Sequence, residues 1–129
     1  MKLGYVLVYV PDVEEAVRFY EKAFGLTRRF VHESGYGELD TGGTALGFVS
    51  EALAASNGTS FRKNRAKDAK AAGVEIAFVT DDPKAAYARA VKAGAARVSA
   101  PKKKPWGQVV AYVRDLNGVL VEICSPMGG

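Results

Sequence analysis

From Leu3 to Val10 (LGYVLVYV) nearly every position is apolar, after which the apolar residues fall three and four apart at Ala16, Val17, Tyr20, Ala23 and Phe24. The first run reads as a strand and the second as one face of a helix. Asp12 is placed to cap that helix, with Glu15 three residues on completing a capping-box-like pattern, and Gly25 is placed to close it. Because the first run hardly alternates, it predicts a strand covered on both faces, with Val6, Val8 and Val10 packing under the helix. From Thr27 to Ser50 the pattern shortens to three strand-like pieces, TRRFVHE, YGELDT and TALGFVS, with Gly42-Gly43 as a hairpin turn. The order is βαβββ.

The chain then repeats itself. A shift of 70 superposes Asp12 on Asp82, Ala16 on Ala86, Lys22 on Lys92 and Ala23 on Ala93. VEIAFVT leads to a helix capped by Asp82 with Pro83 in its first turn, followed by ARVSA, QVVAYVRD and VLVEICS, the last hairpin turning at Leu116-Asn117-Gly118. The fold class that follows is α+β: two tandem βαβββ modules, about 1–50 and 73–129, together forming a curved mixed eight-stranded sheet within one domain of 129 residues. Residues 51–72 form the connection, whose Ala, Lys and Arg content suits a partly helical segment broken near Asn57-Gly58.

Composition narrows the setting. Hydrophobic residues at 48% and charged residues at 25% fit a globular domain. No apolar run reaches the roughly 20 residues that span a bilayer, and the first strand begins too early for a signal peptide, so the expected location is cytoplasmic and no membrane partner is expected. One cysteine, Cys124, excludes an internal disulfide and reads as a structural thiol in the run VLVEIC. The net charge of +4 comes from basic clusters at Arg62, Lys63, Arg65, Lys67 and Lys70 and at Lys102, Lys103 and Lys104. Without a recognisable reading element these read as solvated loops, not as a nucleic-acid footprint.

Tandem βαβββ modules, VYVPDVEEAVRFYEKAFG at the opening of the first and DLNGVLVEI at the close of the second together resemble the vicinal-oxygen-chelate superfamily. That group includes glyoxalase I (lactoylglutathione lyase), extradiol dioxygenases, fosfomycin-resistance enzymes and bleomycin-resistance proteins. The resemblance implies a divalent metal held by one residue on the first and one on the last strand of each module. Aligned on the opening Asp motifs and the closing hairpins, those positions are Tyr5, Gly47, Glu75 and Glu122. Only Glu122 is the residue such a metalloenzyme shows; Glu75 could ligate a hard cation, Tyr5 is a poor ligand and Gly47 offers no side chain. With His32 the only histidine, an intrachain two-His site is excluded. The expectation is therefore no cofactor, the alternative being a weakly held divalent metal.

Strand parity groups Tyr5, Leu7 and Tyr9 on one face, Glu75 with Ala77, and Glu122 with Leu120 and Cys124. Tyr112, ten residues before Glu122, shares its face with Val110 and Gln108, and Trp106 approaches from the PWG turn. Phe30 and Phe61 are further aromatic candidates, while Phe48 should face the core, and His32 reads as an ordinary partly exposed strand residue. The candidate ligand-binding set is thus Tyr5, Leu7, Gly47, Glu75, Trp106, Gln108, Tyr112 and Glu122. Tyrosines, a tryptophan and two carboxylates without metal suit capture of an aromatic or cationic small molecule, as in antibiotic resistance by sequestration. The alternative is a glyoxalase-like lyase or isomerase with Glu122 as base. A homodimer is expected, because the strand faces leave aromatic surface that a second chain would cover.

Overall fold

The computed structural model describes residues 1–127. The chain divides into two compact units, Met1–Lys63 and the remainder from Asn64, with the boundary inside the expected connection. Among the described residues there are eight strands, four to each unit.

In module 1, β1 (Tyr5–Val10) is followed by α1 (Val13–Phe24), β2 (Thr27–His32), β3 (Tyr36–Asp40) and β4 (Ala45–Ser50), in sheet order β1-β4-β3-β2. β1 runs parallel to β4 and the other pairs are antiparallel. Asp12 caps α1 by accepting from the Glu15 amide at 3.0 Å, and Gly25 ends it in the left-handed conformation, φ 69°. The helix buries Val13, Ala16, Val17, Phe19, Tyr20 and Ala23. Phe48 on β4 is fully buried, its ring 4.9 Å from that of Tyr20, as alternation predicts. Gly37 lets helix and sheet meet: a side-chain carbon there would lie 2.7 Å from Val17 Cγ2 and 2.9 Å from Val13 Cγ1. A short α2 (Glu51–Ser56) follows β4 and ends at Asn57, next to the break expected at Asn57-Gly58.

Module 2 repeats the plan with β5 (Glu75–Val79), α3 (Pro83–Lys92), β6 (Ala96–Lys103), β7 (Val109–Arg114) and β8 (Leu120–Cys124), in sheet order β5-β8-β7-β6. Asp82 caps α3 through the Ala85 amide, with Pro83 in its first turn. The closing hairpin turns as an Asx motif, Asp115 Oδ1 accepting from the amides of Asn117 and Val119. Arg114 fastens the end of the connection to this sheet, donating to the carbonyls of Gly118 and Asp68.

Two expectations need correction. β1 is an edge strand, and Tyr5, Val6 and Leu7 remain exposed, so only its end, with Val10 fully buried, has the cover expected of the whole run. Apolar composition reports the need for cover, but which strand lies at an edge is decided by pairing. Lys102 and Lys103, read as loop residues, belong to β6, also an edge strand, where lysine and Pro101 are compatible with an unpaired rim.

Candidate functional site

The strand registers give the four inferred family positions a common frame. Leu7 lies opposite Gly47, and Ala77, 70 residues further on, lies opposite Glu122. Gly47 and Glu122 therefore hold the same place in the two modules, as do Tyr5 and Glu75.

In module 2 that place carries acid. Glu75 on β5 and Glu122 on β8 belong to neighbouring parallel strands two register steps apart, hence on one sheet face, the face away from α3. Tyr112 lies directly across from Glu122, and its hydroxyl donates to Glu122 Oε1 at 2.9 Å. Burial and the neighbouring Glu122 carboxylate together push the Glu75 carboxyl up. The same two causes raise the Tyr112 phenol to about 12 and the Cys124 thiol to about 11. Cys124 is buried and its thiol donates to the Phe78 carbonyl at 3.6 Å, consistent with an unreactive residue.

In module 1 the place is filled differently. A carbon added at Gly47 would lie 2.6 Å from the Tyr36 hydroxyl oxygen and 2.8 Å from Leu7 Cδ2. The phenol of Tyr36 thus lies over the position that in module 2 bears a carboxylate, and it donates to Glu38 Oε1 at 2.7 Å. Glu38 is buried, and Arg29 supplies its countercharge at 3.1 Å while also reaching Asp40 at 3.6 Å. Arg29 reaches this face because the β2–β3 register shifts between Arg28 and Phe30. The bulge sends Arg28 to Glu14 and Glu21 of α1, and leaves Arg29 beside Glu38 and Asp40. The Phe30 ring lies 5.8 Å from that of Tyr36.

Of the residues anticipated from sequence, Glu75, Tyr112 and Glu122 come together on module 2, and Leu7 and Gly47 share a face of module 1 with Tyr5 by parity. Trp106 and Gln108 bond to each other at the β6–β7 hairpin, Trp106 Nε1 donating to Gln108 Oε1 at 2.8 Å. Phe61 packs edge-on against Tyr9 at 4.7 Å, and His32 is exposed. Tyr36, Glu38 and Arg29 escaped the sequence reading. The first two reach Gly47 only through the β3–β4 register, in which Glu38 lies opposite Gly47, and nothing local announces the bulge that delivers Arg29.

This donor set does not fit the divalent metal that the resemblance implies. Position 47 has no side chain and is overlain by a phenol, Tyr5 is a poor ligand, and two carboxylates remain. Among the described residues no group of three or more His, Cys, Asp or Glu is arranged to hold a metal ion.

Comparison with solved structures places these modules among known ones. The chain is similar to a glyoxalase-related enzyme from Fulvimarina pelagi, with TM-score 0.83, 19% identity, and 98% of this chain and 88% of that chain covered. It is also similar to TioX from Micromonospora sp. ML1, with TM-score 0.72, 23% identity, and 97% and 98% covered. A glyoxalase/bleomycin resistance protein/dioxygenase family enzyme from Burkholderia phytofirmans PsJN matches with TM-score 0.75, 23% identity, and 97% and 98% covered. At these identities the likeness establishes the fold alone. Comparison with curated proteins gives no match. The family model supplies what structural likeness does not: it matches residues 2–123, from before β1 to within β8, and so the chain belongs to the Glyoxalase/Bleomycin resistance protein/Dioxygenase superfamily.

Proposed function

We propose that this chain is a small-molecule-binding protein whose acidic face on module 2 takes an aromatic compound bearing an ammonium, a guanidinium or several hydrogen-bond donors. One contrast supports this reading. Glu38 in module 1 has Arg29 as its countercharge, whereas among the described residues neither Glu75 nor Glu122 has an ion pair. Arg114 shares their sheet but directs its N–H groups to backbone carbonyls. A cationic ligand supplies the missing charge through charge-assisted hydrogen bonds, and Tyr112 offers a flat neighbour for its ring. This is the chemistry of sequestration, the mode of drug-binding antibiotic resistance.

A second reading, a lyase or isomerase with Glu122 as base, draws support from the raised pKa of Glu75, because two adjoining carboxyls that share a proton can give and take one. The form we propose is a cytoplasmic homodimer. Tyr5 and Leu7, 61% and 47% exposed on an apolar edge strand, are candidates for cover by a second chain, and a single buried cysteine suits a reducing compartment. Among the described residues no helix is long and apolar enough to cross a membrane.

The test is a thermal-shift screen of cationic aromatics against the parent, Glu122→Gln and Glu75→Gln. A ligand at 100 times its Kd stabilises the fold by about 2.7 kcal/mol. Hits that vanish in Glu122→Gln, without loss of that variant's own stability, support the binder. Hits that are anionic, or that keep their affinity in both variants, overturn the assignment to this face. Incorporation of solvent deuterium into a hit would favour the isomerase.

A further inference from the structure

Arg114 belongs to the acidic face of module 2 by position but not by partner. Alternation along β7 puts it on one face with Tyr112, and the register sets it opposite Leu120, which in turn lies opposite Glu75. Glu122 is its diagonal neighbour on β8, a separation of about 7–8 Å that a long side chain bridges. Yet the guanidinium is engaged elsewhere. Its Nε donates to the Gly118 carbonyl at 2.8 Å, its Nη1 to the Asp68 carbonyl at 2.7 Å, and its Nη2 reaches the Arg65 carbonyl at 3.5 Å.

Two of these three acceptors lie in the connection. Residues 65–68 form a turn outside any helix or strand, closed by the Asp68 amide on the Arg65 carbonyl at 3.2 Å. The turn passes close to the β7–β8 hairpin: a carbon added at Gly118 would lie 2.6 Å from both the Arg65 carbonyl oxygen and Arg114 Nη2. The segment brings Arg65, Lys67 and Lys70 with one acid, Asp68, so it is backbone oxygens that hold the Arg114 cation beside a stretch of like charge. Departure of the turn removes two of Arg114's acceptors and leaves the carboxylates of Glu122 and Glu75 within its reach on the same face.

We infer that residues 65–68 are a strap that regulates the acidic face through Arg114. With the strap docked, backbone carbonyls occupy the guanidinium and the two carboxylates have no cation from their own chain. With the strap released, Arg114 pairs with Glu122 and takes the place of a bound cation. Docking of the strap and binding of a cation therefore favour each other, and by linkage a bound cation tightens the strap. The inference rests on the reading of this face as a cation site, but its test needs no ligand.

The experiment follows the side-chain carboxyl carbons of Glu75 and Glu122 by NMR as the full chain is titrated, with nitrogen relaxation reporting the order of residues 66–69. Asp68→Pro removes the amide that closes the turn and drives Lys67 into an extended conformation, opening the strap without touching the sheet. Gly118→Ala opens it from the other side by crowding the Arg65 carbonyl. In each variant the Glu122 titration should move down by about one pH unit, as a guanidinium brought beside a carboxylate requires. Arg114→Met alone should loosen residues 66–69, and in that background neither opening should lower the Glu122 titration further. Failure of both openings to lower it in the parent would overturn the proposal. So would an equal fall in the Arg114→Met background, or a strap that stays ordered without Arg114. Because no ligand is present, a negative outcome counts against the strap alone, and a failed ligand screen counts against the cation site alone.

Discussion

The Tyr36 phenol lies over Gly47, so that a carbon added at position 47 would stand 2.6 Å from the Tyr36 hydroxyl oxygen. The two residues occupy together, in module 1, the place that Glu122 occupies in module 2. Gly47→Ala should therefore destabilise the chain by about 1–3 kcal/mol, as overpacking does. In a Tyr36→Ala background the same change should cost much less, giving a coupling that a double-mutant cycle of urea midpoints will measure. Additive effects would mean that the ring does not fill this space.

Arg29 and Glu38 form the charge pair that keeps module 1 neutral at this position, the carboxylate being buried and the guanidinium only partly so. Arg29→Met should lower stability by about 1–3 kcal/mol, because it leaves a buried carboxylate with the Tyr36 hydroxyl as its one remaining donor there. Joining it to Glu38→Gln should recover most of that loss. Chemical denaturation of the three variants reads both effects, and a double variant no better than Arg29→Met would refute the pairing.

Glu75 sets a pH dependence of stability. Its carboxyl is raised above the ordinary 4.5, so between that value and the raised one the folded chain holds more protons than the unfolded chain. Stability from this group is complete below 4.5 and falls as pH rises through the raised value. The effect is small because Glu75 is solvent-exposed. Glu75→Gln should remove that decline, so that thermal midpoints of variant and parent converge in acid and the variant is the more stable at neutral pH. A parent that loses more stability than the variant on acidification would reverse the sign and the explanation.

Gly37 is a steric requirement of helix packing. Val13 and Val17 of α1 both lie closer than 3.0 Å to where a side-chain carbon would stand. Gly37→Ala should cost about 1–3 kcal/mol, and trimming Val17 to Ala in the same chain should relieve part of it. Circular dichroism melts of the single and double variants decide this.

Much of this fold is legible without coordinates because its signals are local. Asp12 and Asp82 cap helices by contact with amides three residues away, Gly25 ends a helix through its own backbone, and the turn at Asp115 to Gly118 uses adjacent groups. The repeat adds long-range content: alignment of the hairpin turns before the closing strands placed Gly47 and Glu122 in corresponding positions, and the registers of Leu7 with Gly47 and Ala77 with Glu122 agree. The grouping of Glu75 with Glu122 and Tyr112 followed from the family resemblance, with parity giving only the companions of each residue on its own strand, since alternation is a property of one strand and register that of two.

What tertiary structure alone decided depends on neighbours distant in the chain. β1 has the apolar composition of a covered strand, yet it lies at an edge, because sheet order is set by which strands find partners and not by any one strand's residues. Arg28 and Arg29 are identical in type and adjacent, and a register shift against β3 sends them to different partners. Gly47 read as an empty ligand position, and the space proved to be filled by Tyr36 from the next strand. Period and capping are decided within a few residues and survive in the sequence. Edges, bulges and the occupants of small spaces are decided by which surfaces meet, and that is settled only when the whole module packs.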